Sequence, residues 1–192
     1  MGYAPVMNVH RILRAVESLD RVDGPAAAVA RTVRGLLEGR KVDGLLRGSW
    51  LGHPVHPVLV TVPIGMWSGA LLLDLMRGQR DASRRLVGIG LLAALPTVVT
   101  GYADFSALQD VRQRRVGAVH AVSNAVAIDC FLTSYVLRTR GSDRAATLWG
   151  LLGMGAVGAG GALGGHLSYA QGGGVFRWQA GPEADAAVQA GA

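Results

Sequence analysis

Residues 145–169 read AATLWGLLGMGAVGAGGALGGHLSY, a run without a single Asp, Glu, Lys or Arg. About 20 apolar residues in a helix cross the roughly 30 Å hydrocarbon core of a bilayer, so this run is long enough to span one. A core helix of a water-soluble bundle would carry a polar stripe at a 3.6-residue period, and Leu148 to Leu163 carries none. Working outward, Pro57 to Met76, Leu86 to Phe105 and Val116 to Leu137 have the same length and character. The chain therefore reads as all-α, an integral membrane four-helix bundle. Trp50, Tyr169 and Trp178 fall at one expected interface, and Tyr135 and Trp149 at the other, as amphipathic rings prefer.

The 192 residues, half of them apolar, suit one compact membrane domain, residues 49–175. The formal charge of +6 comes mainly from arginines in the N-terminal segment and short loops, where the lipid bilayer, through anionic headgroups, is the natural partner and nucleic acid is not. Cys130 is the single cysteine, which excludes a disulfide framework, a Cys-x-x-Cys zinc pair and a thiolate set for an iron–sulfur cluster. Any redox centre within the chain must use histidine. In residues 1–48, Val9, Ile12, Leu13, Val16 and Leu19 recur at helical spacing, Gly24-Pro25 interrupts, and Val29, Val33, Leu36 and Leu37 resume the stripe. Two amphipathic surface helices are expected, either a basic lid held by headgroups or a docking surface, with His10 solvated. Arg11, Arg14, Glu17, Asp20 and Arg21 break up any signal-peptide stretch, so the segment should stay on the mature chain. Residues 176–192, rich in Ala and Gly, read as a flexible tail. An even number of spans puts both termini on one side. The flanking arginines and lysines divide equally between the two faces; the remaining N-terminal arginines point to both termini in the cytoplasm, with the spans in the inner membrane.

Threading the spans brings His53, His56, His120 and His166 to the same face. In Gly52-His53-Pro54-Val55-His56-Pro57 both histidines precede proline, so both should be extended, with Pro57 opening the first helix. His120 and His166 lie at matched depth on facing helices, the arrangement that bis-imidazole ligation of a b-type haem needs. Ala162, Ala159 and Gly155 would leave room for the macrocycle. The alternative use of small residues is close packing, for which Gly160-x-x-x-Gly164 and Gly161-x-x-x-Gly165 have the spacing. A bare transition metal ion is the competing cofactor, held by His53, His56, His120 and His166 with Asp104 as ligand or tautomer-fixing acceptor. No His-Glu-x-x-His element occurs, and Ser123 and Asn124 beside His120 make no triad, so nothing supports hydrolase chemistry. Asp129 lies about 180° around its helix from His120 and should donate, as a neutral acid, to the Leu92 carbonyl that Pro96 leaves without a donor; a proton relay is its sharper alternative. Asp74 should pair with Arg77 at i,i+3.

The His-Pro-x-His-Pro strap, continuing through Pro63-Ile64-Gly65 to Asp74-Leu75, with Gly101-Tyr102-Ala103-Asp104 and Gly164-Gly165-His166-Leu167-Ser168-Tyr169, resembles a bacterial four-span membrane family of unknown function. The likeness runs from about Gly48 to Val175. In that family the domain is sometimes fused to a Rieske-type iron–sulfur domain, which implies redox work; here such a partner would be a separate protein. Two readings stay open. The chain is an electron-transfer subunit binding haem b or a metal, or a structural or docking membrane subunit with no cofactor, and in either case a subunit, in a homo- or hetero-oligomer, more than a stand-alone enzyme.

Overall fold

The computed structural model describes residues 9–76 and 78–175. In order these form α1 (Val9–Glu17), a 3-10 turn (Asp20–Val22), α2 (Asp23–Leu37), α3 (Lys41–Arg47), α4 (His56–Leu59), α5 (Thr61–Asp74), α6 (Arg80–Ser106), α7 (Val111–Thr139), α8 (Asp143–Gly165) and a π-helical turn (His166–Ala170). There is no strand among the described residues. Four helical stretches are long and apolar enough to cross a membrane: His56–Asp74, Arg80–Ser106, Val111–Thr139 and Asp143–Ala170. They contain the four expected spans but for Leu75 and Met76 and extend three of them into the interfaces.

The first span pauses at Val60, between α4 and α5. Pro63 has no N–H to offer the Leu59 carbonyl, so the helical ladder cannot run unbroken there. The four spans pack in a ring, α5 on α6, α6 on α7, α7 on α8 and α8 back on α5. At its centre Trp67 stacks on Phe131, ring centroids 4.2 Å apart and planes 10° from parallel, and Trp67 Nε1 donates to the Val87 carbonyl at 3.4 Å. Gly90 supplies the space: a Cβ there would collide with the indole. Outside, Leu72, Leu92, Leu95, Leu148 and Leu152 are each more than half exposed, which acyl chains tolerate and water would not.

At the face away from the termini, Asp74 meets Arg138 in a two-pronged ion pair with both N–O distances 2.7 Å. The two side chains are 7% and 3% exposed. Ser83 and Thr147 donate to the same carboxylate at 2.7 and 2.8 Å, and Arg138 Nε reaches Ser134. One network thus joins all four spans. Asp74 was expected to pair locally with Arg77, which lies outside the described residues; among the described residues its carboxylate oxygens are taken by partners on three other helices. A second expectation also changes. Asp129 makes no hydrogen bond to the Leu92 carbonyl, because both residues face outward from the bundle.

Three N-terminal helices cover the other face, one more than the stripes suggested. Gly24-Pro25 opens α2 and does not interrupt it, since proline is tolerated in a first helical turn. α2 buries Ala26 and Ala30 against Phe105 and Leu108, and turns Val29 and Leu36 outward. Two lid arginines, expected at headgroups, serve the protein. Arg34 Nη2 donates to the Ser106 carbonyl at 2.7 Å, and Arg47 of α3 donates to the Ala103 carbonyl and the Ser106 hydroxyl. Both cap the last turn of α6, where unpaired carbonyls and the helix dipole favour cations. The proposed tail at 176–192 and Trp178 lie outside the described residues.

Candidate functional site

The strap begins at Gly48, which ends α3 at φ +87° and lies so close to the His53 carbonyl that a Cβ has no room. Only glycine meets both conditions. Beyond it Trp50 and Leu51 are exposed, and so is His53. His56 departs from expectation. It is not extended but is the first residue of α4, with Pro57 in the first turn, and this helical start turns its ring into the bundle. His56 Nδ1 lies 2.9 Å from the Thr97 carbonyl on α6. Gly101, one turn further along α6, is where a side chain would press on the imidazole.

The ring of His56 meets the ring of His120 edge to face, centroids 6.3 Å apart and planes at 84°. His120 Nδ1 is 2.8 Å from the Gly160 carbonyl on α8, and its Nε2 is 2.9 Å from the Asn124 amide nitrogen one turn along α7. A carbonyl only accepts, so the proton sits on Nδ1 and Nε2 accepts from the amide. Both ring nitrogens are therefore engaged. Gly160 and Gly164 make this seat: a Cβ at Gly160 would strike Asn124, and one at Gly164 would press on the His120 ring.

His166 turns elsewhere. It opens the π-helical turn, and its Nε2 lies 2.6 Å from Glu17 Oε1 at the end of α1. Gln171 donates to the same oxygen at 2.9 Å, and Gln113 donates to the Gln171 carbonyl at 2.8 Å. The His166 hydrogen bond holds the Glu17 carboxyl below the usual glutamate range. Beside this latch, Arg115 grips Asp23 through two bonds of 2.8 and 2.7 Å and donates to the Glu17 carbonyl at 3.0 Å. The N-terminal helices are thus bolted onto the histidine face. Asp110 starts α7 beneath them as an N-cap, its carboxylate accepting from the Gln113 and Arg112 amides, which lowers its pKa.

The expected layer is accordingly divided. His120 stands with His56 and not with His166; His53 faces out on the strap; Asp104 is half-buried near the end of α6. Among the described residues no three His, Cys, Asp or Glu side chains converge as a metal group. The room expected along Gly155, Ala159 and Ala162 lies on the exposed side of α8, while the inward glycines are filled by Phe131, Asn124 and His120. Asn124 and Glu17 are the participants that sequence reasoning passed over. Asn124 was legible as the i+4 neighbour of His120; Glu17 is 149 residues from His166, and no local pattern joins them.

Four apolar spans around an aromatic core, with a polar, histidine-bearing face under N-terminal helices, define a multi-span integral membrane protein. The chain belongs to the DUF2231 family of predicted membrane proteins, whose model matches residues 52–177. No curated protein and no solved structure matches it.

Proposed function

We propose that the chain is a non-enzymatic membrane subunit in which the chemistry of the histidine face is architectural: the imidazoles clamp one element to another, and the roofed face docks a peripheral partner. The observation that supports this is the use of each inward ring. His56 joins α4 to α6, His120 joins α7 to α8, and His166 joins the end of α8 to α1. Hydrogen bonds that cross between elements in a low-dielectric site favour one arrangement of the bundle. His53, Trp50 and Leu51 remain on the outer surface of the strap for a partner, which on the family resemblance is a separate Rieske-type redox protein. The subunit sits in the inner membrane with both termini in the cytoplasm.

A second reading, electron transfer through haem b or a transition metal ion, is favoured by the His56–His120 pair. Metal-binding histidines commonly donate their other ring N–H to a carbonyl, and both rings present Nδ1 to one. Cofactor analysis of protein purified from haem- and metal-replete cells separates the readings. The clamp reading expects haem, iron, copper and zinc well below one per chain, and His56→Ala and His120→Ala each destabilised by about 1 kcal/mol through the lost hydrogen bond between helices. Stoichiometric haem with low-spin b-type bands, or a stoichiometric metal, lost in both variants, would overturn it in favour of the second.

A further inference from the structure

Asp129 sits deep in a membrane span, with roughly 12 Å of helix between it and Leu137 and roughly 20 Å between it and Val116. Its side chain is exposed on the outer surface of the bundle. Val122, Ala125, Asp129 and Leu132 form this exposed face at spacings of three and four residues, while His120, Asn124 and Ser134 on the opposite side of α7 bond within the bundle. Among the described residues Asp129 makes no hydrogen bond or ion pair, and neither does the hydroxyl of Thr133 one turn along the same face. Four other span hydroxyls, of Thr97, Thr100, Ser123 and Thr139, bond to carbonyls one turn back. The outward faces of α5 and α6 carry Leu72, Ile89, Leu92, Leu95 and Val99, which lipid solvates well. Lipid cannot solvate a carboxyl, so a polar group at this depth needs a protein partner.

We propose that this face of α7 is a self-association surface, on which a second copy of the chain packs α7 against α7 about a two-fold axis along the membrane normal. Two copies with the same orientation place their Asp129 carboxyls at one depth without further adjustment. The Asp129 carboxyl and the Thr133 hydroxyl of each copy then exchange hydrogen bonds with those of the other, so the face carries both donor and acceptor for its own mate. Such reciprocity is what a two-fold contact requires. Ala125, one turn before Asp129, keeps the backbones close, and a single polar residue in an otherwise apolar seam fixes register, as polar residues do between packed membrane helices.

The test uses the full-length protein reconstituted in phosphatidylcholine vesicles at high lipid dilution, with subunits counted by single-molecule photobleaching. The wild type should be dimeric. Oxidation should cross-link Leu132→Cys and leave Leu92→Cys, on the outer face of α6, unlinked. Asp129→Leu should weaken the dimer about tenfold, whereas Asp129→Asn, which keeps a donor and an acceptor, should preserve it. A monomeric wild type would overturn the proposal and assign Asp129 to a different membrane partner. Cross-linking through Leu92→Cys in place of Leu132→Cys, or a dimer indifferent to Asp129→Leu, would overturn it equally.

Discussion

Asp74 shows how far one carboxylate reaches: its two oxygens take four donors, from Ser83, Arg138 and Thr147. Both charges are almost fully buried, and the desolvation this demands is offset only because every prong is satisfied. Removing one partner leaves the other charge uncompensated. Asp74→Ala should therefore cost about 3–5 kcal/mol, and Asp74→Leu combined with Arg138→Met should recover much of it, measured by thermal unfolding in detergent. Equal instability of single and double variants would show that the shape of the residues, and not their charge, holds the four helices. The sequence disclosed the ionisable residues but not their pairing. Asp74 has Arg77 at hand locally, and nothing in one chain's pattern says that Ser83, beside a short loop, is buried and that Arg138, at the end of a span, points inward.

At the scale of elements, the spans were legible because length and polarity act locally, helix by helix. The packing of α1, α2 and α3 was not, because it depends on where α6 ends: Arg34 and Arg47 find the carbonyls of Ala103 and Ser106 only after the bundle has formed. The strap was misread for a related reason. The local preference against helix before proline applies to His56, yet α4 starts there, where the helical turn lets its ring reach the Thr97 carbonyl. The latch of α1 is the element with a pH signature. The Glu17 pKa is lowered on folding by His166, so its stabilisation is whole above the ordinary glutamate pKa and is lost as pH falls through the lowered value. As pH falls below the ordinary glutamate range, α1 should progressively loosen while the spans hold, and Glu17→Gln should loosen it at neutral pH, with amide exchange in α1 faster by roughly tenfold. Exchange in α1 that is the same at neutral and acid pH would mean the other contacts of the lid suffice.

For the whole molecule, the two ends of the bundle solve one problem differently. Far from the termini a buried ion pair ties the spans together; near them, His56 and His120 bonded to carbonyls tie strap and spans, and His166 bonded to the Glu17 carboxylate ties the lid. The sequence revealed that the histidines share a face, since depth follows from counting residues along helices. It did not reveal which of them meet, because that is set by rotation: His120 turns onto the Gly160 and Gly164 side of α8, and His166 turns back to α1. The central claim is that these rings are clamps. It is tested most directly by nitrogen-15 solid-state NMR of histidine-labelled protein in lipid, which reads the state of each ring nitrogen. The account expects a protonated Nδ1 and a metal-free Nε2 for His56 and His120, the His120 Nε2 without a proton because it accepts from Asn124, with magnetisation passing from His120 Nδ1 to the Gly160 carbonyl carbon. An Nε2 resonance shifted or broadened by a bound metal or haem iron, or a His120 Nδ1 without its proton, would contradict it.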